Sequence, residues 1–360
     1  MSLFWSAWSP LNLFLDAFLL GSAWLLGWIV VRGEPRPLSN VAWARAIIAG
    51  VAPWPLLVLL GLGLGGFFLL ARFGWTFGTV ALPVLLVQLA RERRERRLFI
   101  LAAAILAVKV FGEVIEPDRL EVQNVTIPVV GLKAPVRITH LSDLQMDGLR
   151  GFHDRVRAAS DAFDPDLIVF SGDVINHASL VGETAPYLRA FHRKTGAYIV
   201  TGDVDFGFDW PSFTAMAGFT PIDGKVARVK IGPTTLDLLG LALGDAGNQA
   251  LFDNLIDSSR GADARILLSH RPDALKLIGA AAVAVLFTGH THGGQVCLPW
   301  FGPIVTLTRV SREIAAGGVH IVGGTSIVLS RGLGWEGHVA PRVRLFCRPH
   351  LLLVTLVPAP

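Results

Sequence analysis

Residues 283–295 read VAVLFTGHTHGGQ, an apolar run that ends in a cluster of glycines, threonines and two histidines. Five apolar residues followed by turn-forming ones indicate a buried strand at 283–287, with His290 and His292 just beyond its carboxyl end. Buried strands that deliver polar residues at their carboxyl ends are how α/β domains build their sites. The stretch therefore predicts an α/β domain whose site contains these two histidines.

The same pattern occurs four more times upstream. Apolar runs at 136–141, 167–170, 197–200 and 266–268 end in Ser142-Asp143, Ser171-Gly172-Asp173, Thr201-Gly202-Asp203 and Ser269-His270. Amphipathic stretches of helix length lie between some of these runs, at 150–162, 183–194 and 248–259. Two or three carboxylates that converge with three histidines are the ligand set of a two-metal centre. Carboxylate and imidazole together favour Mn, Fe or Zn over Ca or Mg.

Composition separates the chain into two physically different parts. Of 360 residues, 52% are hydrophobic and 17% charged, which is too apolar for one ordinary soluble domain. Residues 1–115 carry 10 Lys and Arg against 5 Asp and Glu, whereas residues 116–360 carry 22 against 23. The basic balance therefore belongs to the first third, and we expect no nucleic-acid partner. Low charge, unperiodic glycines and two cysteines exclude disordered, collagen-like and disulfide-scaffold classes.

The first third has the apolar lengths that a bilayer requires, about 20 residues per helix. Four spans fit best, at roughly 11–31, 47–71, 73–90 and 98–115. We therefore predict a multi-pass helical membrane domain at 1–115, with the lipid bilayer as its partner. A polar, proline-containing linker at 116–134 follows, with an alternating stretch suited to an edge strand, and the α/β domain occupies 135–360.

Arginines are distributed unevenly over the connections between these spans. The stretches 32–45 and 91–97 hold eight of them, and the other two flanks hold only Arg72. Cytoplasmic loops carry the excess of Lys and Arg, so both Arg-rich loops are expected in the cytoplasm. Four spans then place the α/β domain on the extracytoplasmic side of the cell membrane. The opposite orientation stays open because it depends on the number of spans.

The order of these motifs resembles the calcineurin-like metallophosphoesterases, in particular a membrane-attached branch whose final motif is Gly-His-Thr-His-Gly-Gly-Gln. That motif is present here at residues 289–295, and the resemblance extends over roughly residues 117–356. It implies an α/β fold of two packed mixed sheets flanked by helices. It also implies two divalent metal ions, of which Mn, Fe and Zn are the candidates.

The resemblance assigns a role to each polar strand end. Asp143 and His292 would bind the first metal with Gln145, Asp173 would bridge both metals, and Asp203, His270 and His290 would bind the second. Asp173 and His270 are also the candidate catalytic residues. Three positions depart from the family pattern: Gln145 stands where the family has histidine, Asp203 where it has asparagine, and Val204 where it has a second histidine.

The implied function is a membrane-bound, metal-dependent phosphoesterase that hydrolyses a phosphate ester or pyrophosphate bond by a metal-activated hydroxide. Its substrate would be a phosphorylated small molecule or a lipid-linked phosphate. The alternative is a catalytically impaired protein of the same fold that binds a phosphorylated ligand or a protein partner. The substitutions at Gln145, Asp203 and Val204 support this alternative; the family's imidazole at position 204 helps to protonate the leaving oxygen. His177 is a candidate replacement acid, and pairing of Cys297 with Cys347 stays open.

Overall fold

The computed structural model describes residues 10–35, 38–53, 55–56, 63–279, 282–337 and 339–360. The chain divides into two compact units. The first, here called the helical unit, comprises Met1–Val114 with Glu336–Arg342. The second, the α/β unit, comprises Ile115–Trp335 with Val343–Pro360.

The described residues of the helical unit form five α-helices. They are α1 (Pro10–Val31), α2 (Asn40–Val51), α3 (Gly63–Thr76), α4 (Leu82–Arg93) and α5 (Arg96–Val110), with the π-helical turn Phe77–Ala81 joining α3 to α4. Within the described residues, three helical stretches are long and apolar enough to cross a membrane, namely Pro10–Val31, Gly66–Arg93 and Arg96–Asp118. They contain the first, third and fourth predicted spans. The second, 47–71, lies partly outside the described residues, as does Arg36 of the first connection.

Two glycines allow α1 and α2 to pack closely. A Cβ at Gly27 would lie 2.8 Å from the carbonyl oxygen of Ala46, and one at Gly50 would lie 2.6 Å from that of Ala23. Contacts this short between helix backbones are possible only with glycine at the crossing. Small residues serve the same purpose where membrane helices associate, because close backbone approach replaces the missing hydrophobic force.

A buried arginine connects α1 with α3. The Arg72 guanidinium is 3% exposed and donates to Asp16 Oδ1 at 2.7 Å and to Asn12 Oδ1 at 2.8 Å. Thr76 Oγ1 donates to the same Asp16 oxygen at 3.0 Å. A charge inside an apolar helical bundle is costly unless it is paired and hydrogen-bonded. Asp16 therefore acts as the counterion of Arg72 within the helical unit.

The α/β unit contains fourteen strands and six α-helices among the described residues. The strands are β1 (Glu121–Val129), β2 (Val136–Leu141), β3 (Leu167–Phe170), β4 (Gly196–Ile199), β5 (Thr220–Pro221), β6 (Val226–Ile231), β7 (Thr234–Leu241), β8 (Ala264–Ser269), β9 (Val285–Thr288), β10 (Cys297–Leu298), β11 (Gly302–Pro303), β12 (Gly318–Val322), β13 (Thr325–Leu329) and β14 (His350–Pro358). The helices are α6 (Gly151–Phe163), α7 (Val181–Arg189), α8 (Trp210–Ala217), α9 (Gln249–Ser258), α10 (Leu275–Ile278) and α11 (Arg312–Ala315).

Twelve of these strands form two mixed sheets of six. The first has the order β1-β14-β2-β3-β4-β5, and the second has the order β12-β13-β9-β8-β7-β6. Strands β2 to β5 run parallel to one another, and so do β7, β8, β9 and β13. β1 and β14 run in the opposite direction to the rest of the first sheet, since β14 is parallel to β1 and antiparallel to β2.

The two sheets pack face to face over one apolar core. Ile138, Val169 and Val354 of the first sheet and Ile266 and Phe287 of the second belong to the same buried cluster. The outer face of the first sheet is covered by α6, α7 and α8, and that of the second by α9 and α10. The predicted fold class, two packed mixed sheets flanked by helices, is confirmed.

The predicted elements are confirmed to within a few residues, apart from the segment expected to be a linker. β2 and β3 have the predicted bounds. Residues 116–134, by contrast, lie in the α/β unit, where β1 pairs with β14 at the edge of the first sheet. The alternation in this stretch buries Ile127 and Val129, as the edge strand predicted within the linker requires. Glu336–Arg342 lie within the predicted α/β domain, 135–360, but fall in the helical unit.

Candidate metal centre

Six predicted ligands come together where the carboxyl ends of parallel strands meet. Asp143, Asp173 and His292 form one group and Asp203, His270 and His290 form another, with one ligand atom from each residue within 4.8 Å of the others in its group. The loops after β2, β3, β4, β8 and β9 supply all six. Adjacent parallel strands end at the same edge of a sheet, and packing of the two sheets brings both edges together.

The backbone at this edge adopts conformations that are unfavourable for residues with a Cβ. Non-glycine residues with positive φ include five of the predicted ligands: Asp143 (46°), Gln145 (38°), Asp173 (62°), His290 (69°) and His292 (49°). Left-handed conformations are unfavourable for residues with a Cβ and persist only where the surroundings impose them. Such residues cluster at ligand-binding and catalytic sites, so their concentration here supports a functional site.

Asp143 is held by a chain of hydroxyl groups. Ser142 Oγ donates to Asp143 Oδ2 at 2.5 Å, and Ser171 Oγ donates to Ser142 Oγ at 2.6 Å. His140 Nε2, 3.0 Å from Ser171 Oγ, completes the chain as its first donor. Burial lowers the pKa of His140 to about 3, so this imidazole is neutral. The chain fixes the orientation of the carboxylate, which is what polar groups behind a metal ligand do.

Asp173 lies between the two groups. Its Oδ1 accepts the backbone N–H of Val204 at 2.9 Å, and its Oδ2 accepts Gln145 Nε2 at 3.1 Å. The same Oδ2 is 3.5 Å from His270 Nε2, a member of the other group. One carboxylate that reaches both groups is the arrangement expected of a bridging ligand.

The imidazole of His270 has a defined tautomer. Its Nδ1 lies 2.8 Å from the carbonyl oxygen of Ser171, which can only accept, so Nδ1 carries a proton and Nε2 faces the carboxylates. Burial alone would lower the pKa of His270, but Asp173, Asp203 and Asp143 raise it to about 10. Nε2 is therefore in a strongly negative environment that suits a cation.

Asp203 accepts hydrogen bonds from three cationic or imidazole groups. His290 Nδ1 is 2.6 Å and His270 Nε2 3.1 Å from its Oδ2, and Arg271 donates to its Oδ1 at 2.9 Å. Burial opposes ionisation, yet the hydrogen bonds from the two histidines hold the pKa of Asp203 well below its usual range. Arg271, which follows His270 directly in the chain, thus pairs with a predicted ligand.

Asp205 is a structural member of the site that the sequence did not single out. Its carboxylate is buried and accepts the backbone N–H groups of Gly202 and Asp173 on Oδ2 and of Val174 on Oδ1, each at 2.8 Å. Burial and the charge of Asp173 raise its pKa to about 7. Asp205 therefore ties the loops after β3 and β4 together. The sequence signal for Asp205 was its position two residues after Asp203, in a turn that begins at Gly202.

The remaining candidate residues differ in how they contribute to the site. Gln145 is 1% exposed, and its Oε1 is buried without a hydrogen-bond partner among the described residues. An orphaned carbonyl oxygen beside Asp173 fits a cation ligand, since buried acceptors are otherwise paired. Val204 contributes only its backbone N–H to Asp173, and His177 is exposed to solvent. Cys297 and Cys347 are free thiols whose sulfurs lie 3.2 Å and 3.6 Å from the carbonyl oxygen of Gly293.

The donor set and its charge fit a pair of divalent cations. Burial, together with the neighbouring Asp173, raises the pKa of Asp143 to about 6, because like charges close together in a buried site disfavour ionisation. A dication between these groups would offset both the repulsion and the lost hydration. Mixed carboxylate, imidazole and amide ligands are typical of Mn, Fe or Zn.

Gly289 provides space for this arrangement and generates a prediction. A Cβ at this position would overlap Ser142 Oγ and the Asp143 carboxylate. We expect Gly289→Ala to displace Asp143 and to lower the Mn or Zn bound per chain at least severalfold, measured by atomic emission on protein purified without chelator. Gly244→Ala is the matched control, since a Cβ there meets nothing within 4 Å. Equal metal content in the two variants would contradict this role.

Comparison with known proteins agrees with this geometry. A model of the calcineurin-like phosphoesterase family matches residues 136–294. The uncharacterized metallophosphoesterase YkuE of Bacillus subtilis is 30% identical over 205 residues, which cover 53% of this chain and 68% of YkuE. The phosphodiesterase YaeI of Escherichia coli is 31% identical over 93 residues, or 26% of this chain and 32% of YaeI.

Among solved structures, a dimetal phosphatase of Danio rerio has a TM-score of 0.39 and 12% sequence identity, covering 56% of this chain and 88% of its own. The match of the family model ends at Gly294, inside the motif that supplies His290 and His292. With YkuE matched over more than two thirds of its length, the chain belongs to the calcineurin-like phosphoesterase family.

Proposed function

We propose that the protein is a membrane-bound phosphoesterase that uses two divalent cations to hydrolyse a phosphate ester or a pyrophosphate bond. Asp143, His292 and Gln145 would hold the first cation, and Asp203, His270 and His290 the second, with Asp173 shared. The observation that carries the proposal is the convergence of six ligands from five loops into two groups beside one shared carboxylate.

The protein's own residues would bind and orient the phosphoryl group. Two bound cations would supply Lewis-acid activation of water and of the phosphoryl oxygens. Arg271 is 41% exposed on its side chain and uses one guanidinium nitrogen on Asp203, which leaves other N–H groups for a phosphate oxygen. Val204, at the position of the family's imidazole, has no side-chain proton to donate to the leaving oxygen.

The missing acid would slow hydrolysis least for substrates with good leaving groups. A pyrophosphate or phenolate leaves without full protonation, whereas an alkoxide needs a positioned acid, whose loss typically costs about 10²–10⁴-fold in rate. The name of YaeI, a phosphodiesterase, supports a diester as the first substrate to test. The alternative is a protein that binds its phosphorylated ligand or a protein partner without turnover. The lack of an acid at Val204 supports this alternative as well.

Hydrolysis of an aryl phosphodiester tests the activity. We expect the full chain, loaded with Mn, Zn or Mg, to release 4-nitrophenolate from bis(4-nitrophenyl) phosphate, because phenolate needs little protonation. Asp173→Ala should abolish the reaction, whereas Asp253→Asn, on the exposed side of α9, should retain it. Bound metal without hydrolysis above the Asp173→Ala background would favour the binding alternative.

Restoring the missing acid gives a separate test. We expect Val204→His to raise the rate about tenfold or more on an alkyl phosphate ester and much less on the aryl ester, since only the alkoxide needs a proton. Val204→Leu, which keeps the backbone N–H to Asp173, is the control. Equal rates for the histidine and leucine variants on the alkyl ester would show that another group already supplies the proton.

The apolar helices support attachment of the enzyme to the cell membrane, and the arginine distribution supports an extracytoplasmic α/β unit. A reporter fused after residue 360 tests the orientation. We expect alkaline phosphatase, which folds outside the cytoplasm, to be active there and green fluorescent protein to be dark when exported unfolded. The reverse pattern would place the α/β unit in the cytoplasm and leave the chemistry unchanged.

A further inference from the structure

A short apolar hairpin projects from the α/β unit. We call residues 298–307 the apolar hairpin; within it, Leu298 pairs with Gly302 across β10 and β11. Trp300 at its tip is fully exposed, with a left-handed backbone of φ 64°. Large apolar side chains that are more than a third exposed also include Leu298, Phe301, Ile304, Val305 and Leu307.

The apolar hairpin lacks the charges that surface loops normally carry. No Asp, Glu, Lys or Arg occurs from residue 291 to residue 308. Single exposed apolar residues are ordinary, but a contiguous group that includes an exposed Trp and Phe marks an interaction surface. Exposure of these apolar side chains to water is therefore unfavourable.

The base of the apolar hairpin touches the candidate metal centre. The carbonyl oxygen of Leu307 lies 3.4 Å from His290 Nε2. Thr308 Oγ1 donates to Asp273 Oδ2 at 2.8 Å, three residues after His270. Pro303 packs so closely against the backbone of Gly294 that a Cβ there would lie 2.5 Å away. Whatever binds the hairpin is therefore held beside the metal ligands.

Two observations indicate a lipid surface as the occupant. Only Arg119 and Leu120 separate the helical stretch Arg96–Asp118, long and apolar enough to cross a membrane, from the first strand of the α/β unit. The α/β unit is therefore joined by a short segment of chain to any bilayer that contains this span. Exposed Arg309 and Arg312 follow the hairpin, and the Arg312 guanidinium lies 4.0 Å from the centre of the Phe301 ring. Tryptophan with flanking arginine is typical of segments at the membrane interface.

We propose that the apolar hairpin inserts into the lipid interface and that the adjoining centre acts on phosphate esters carried by a lipid. The substrate class in this proposal rests on the proposed function; the insertion does not. Trp300 and Phe301 would enter the headgroup region, and Arg309 and Arg312 would contact lipid phosphates. The membrane-borne ester would then approach the metal ligands along the hairpin.

Insertion is tested without activity, by quenching of tryptophan fluorescence with brominated phosphatidylcholine. The full chain is reconstituted in phosphatidylcholine vesicles with and without the brominated lipid. We expect Trp300→Phe to reduce the quenched fraction of the emission, and Trp210→Phe, in α8, not to reduce it, because Trp210 would stay outside the lipid. A quenched fraction equal to wild type in Trp300→Phe would overturn insertion, whether water, a second copy or a protein partner covers the tip.

The substrate class is tested with two esters that share one reacting group. Hexadecyl 4-nitrophenyl phosphate in vesicles and soluble ethyl 4-nitrophenyl phosphate release the same phenolate. We expect wild type to prefer the hexadecyl ester in kcat/KM, and Trp300→Ser with Phe301→Ser to reduce that preference about tenfold, a loss typical of a buried aromatic anchor. Ile321→Ser, an equally exposed apolar change on β12, is the control.

The outcomes separate the two proposals. An unchanged preference in the double variant would overturn the lipid-borne substrate. Hydrolysis of neither ester by metal-loaded wild type would count against the proposed function and the substrate class together, and the quenching result would still decide the insertion.

Discussion

The site depends on mutual repulsion among buried carboxylates that the fold holds together. Asp143, Asp173 and Asp203 surround His270, and two unit charges about 4 Å apart repel by about 4 kcal/mol at an effective dielectric constant of 20. Burial raises the pKa of Asp143, to which the charge of Asp173 adds, and the three carboxylates raise the pKa of His270. Left-handed ligand backbones and the close approach of Gly289 are local costs of maintaining this concentration of charge. Bound cations would offset the remaining repulsion, which the protein's own groups relieve only in part.

The sequence predicted the strands that end in polar residues because each has a local signal, an apolar run followed by a turn. It did not predict the β6–β7 hairpin, whose Gly232 turn is followed by a strand without a polar tip. Nor could it show that Asp205 points into backbone N–H groups, since local sequence does not distinguish a buried structural carboxylate from a ligand. The shared position of Asp173 depends on how two sheets pack, which is a property of the tertiary structure.

The departures from the family pattern have different physical consequences. At position 204 the backbone N–H still reaches Asp173, so replacement of histidine by valine removes an imidazole and leaves the hydrogen bond intact. At position 203 an aspartate adds a negative charge that asparagine would lack. The Arg271 guanidinium, 2.9 Å from Asp203 Oδ1, places a positive charge beside this carboxylate. The second group therefore differs from the family pattern in its ligand chemistry more than in its net charge.

The position of β14 has a consequence for the order in which the protein can assemble. This strand, residues 350–358, separates β1 from β2 in the first sheet, and its first residue donates to the carbonyl oxygen of Gly332. A Cβ at Gly332 would lie 2.7 Å from the Cβ of Asp143, so that loop also borders the ligands. During synthesis, β1 has no partner in the sheet until residues 350–358 have been made, whereas β2 can already pair with β3. The hydrogen bond that holds the Gly332 loop beside Asp143 therefore forms only after every candidate metal ligand has been made.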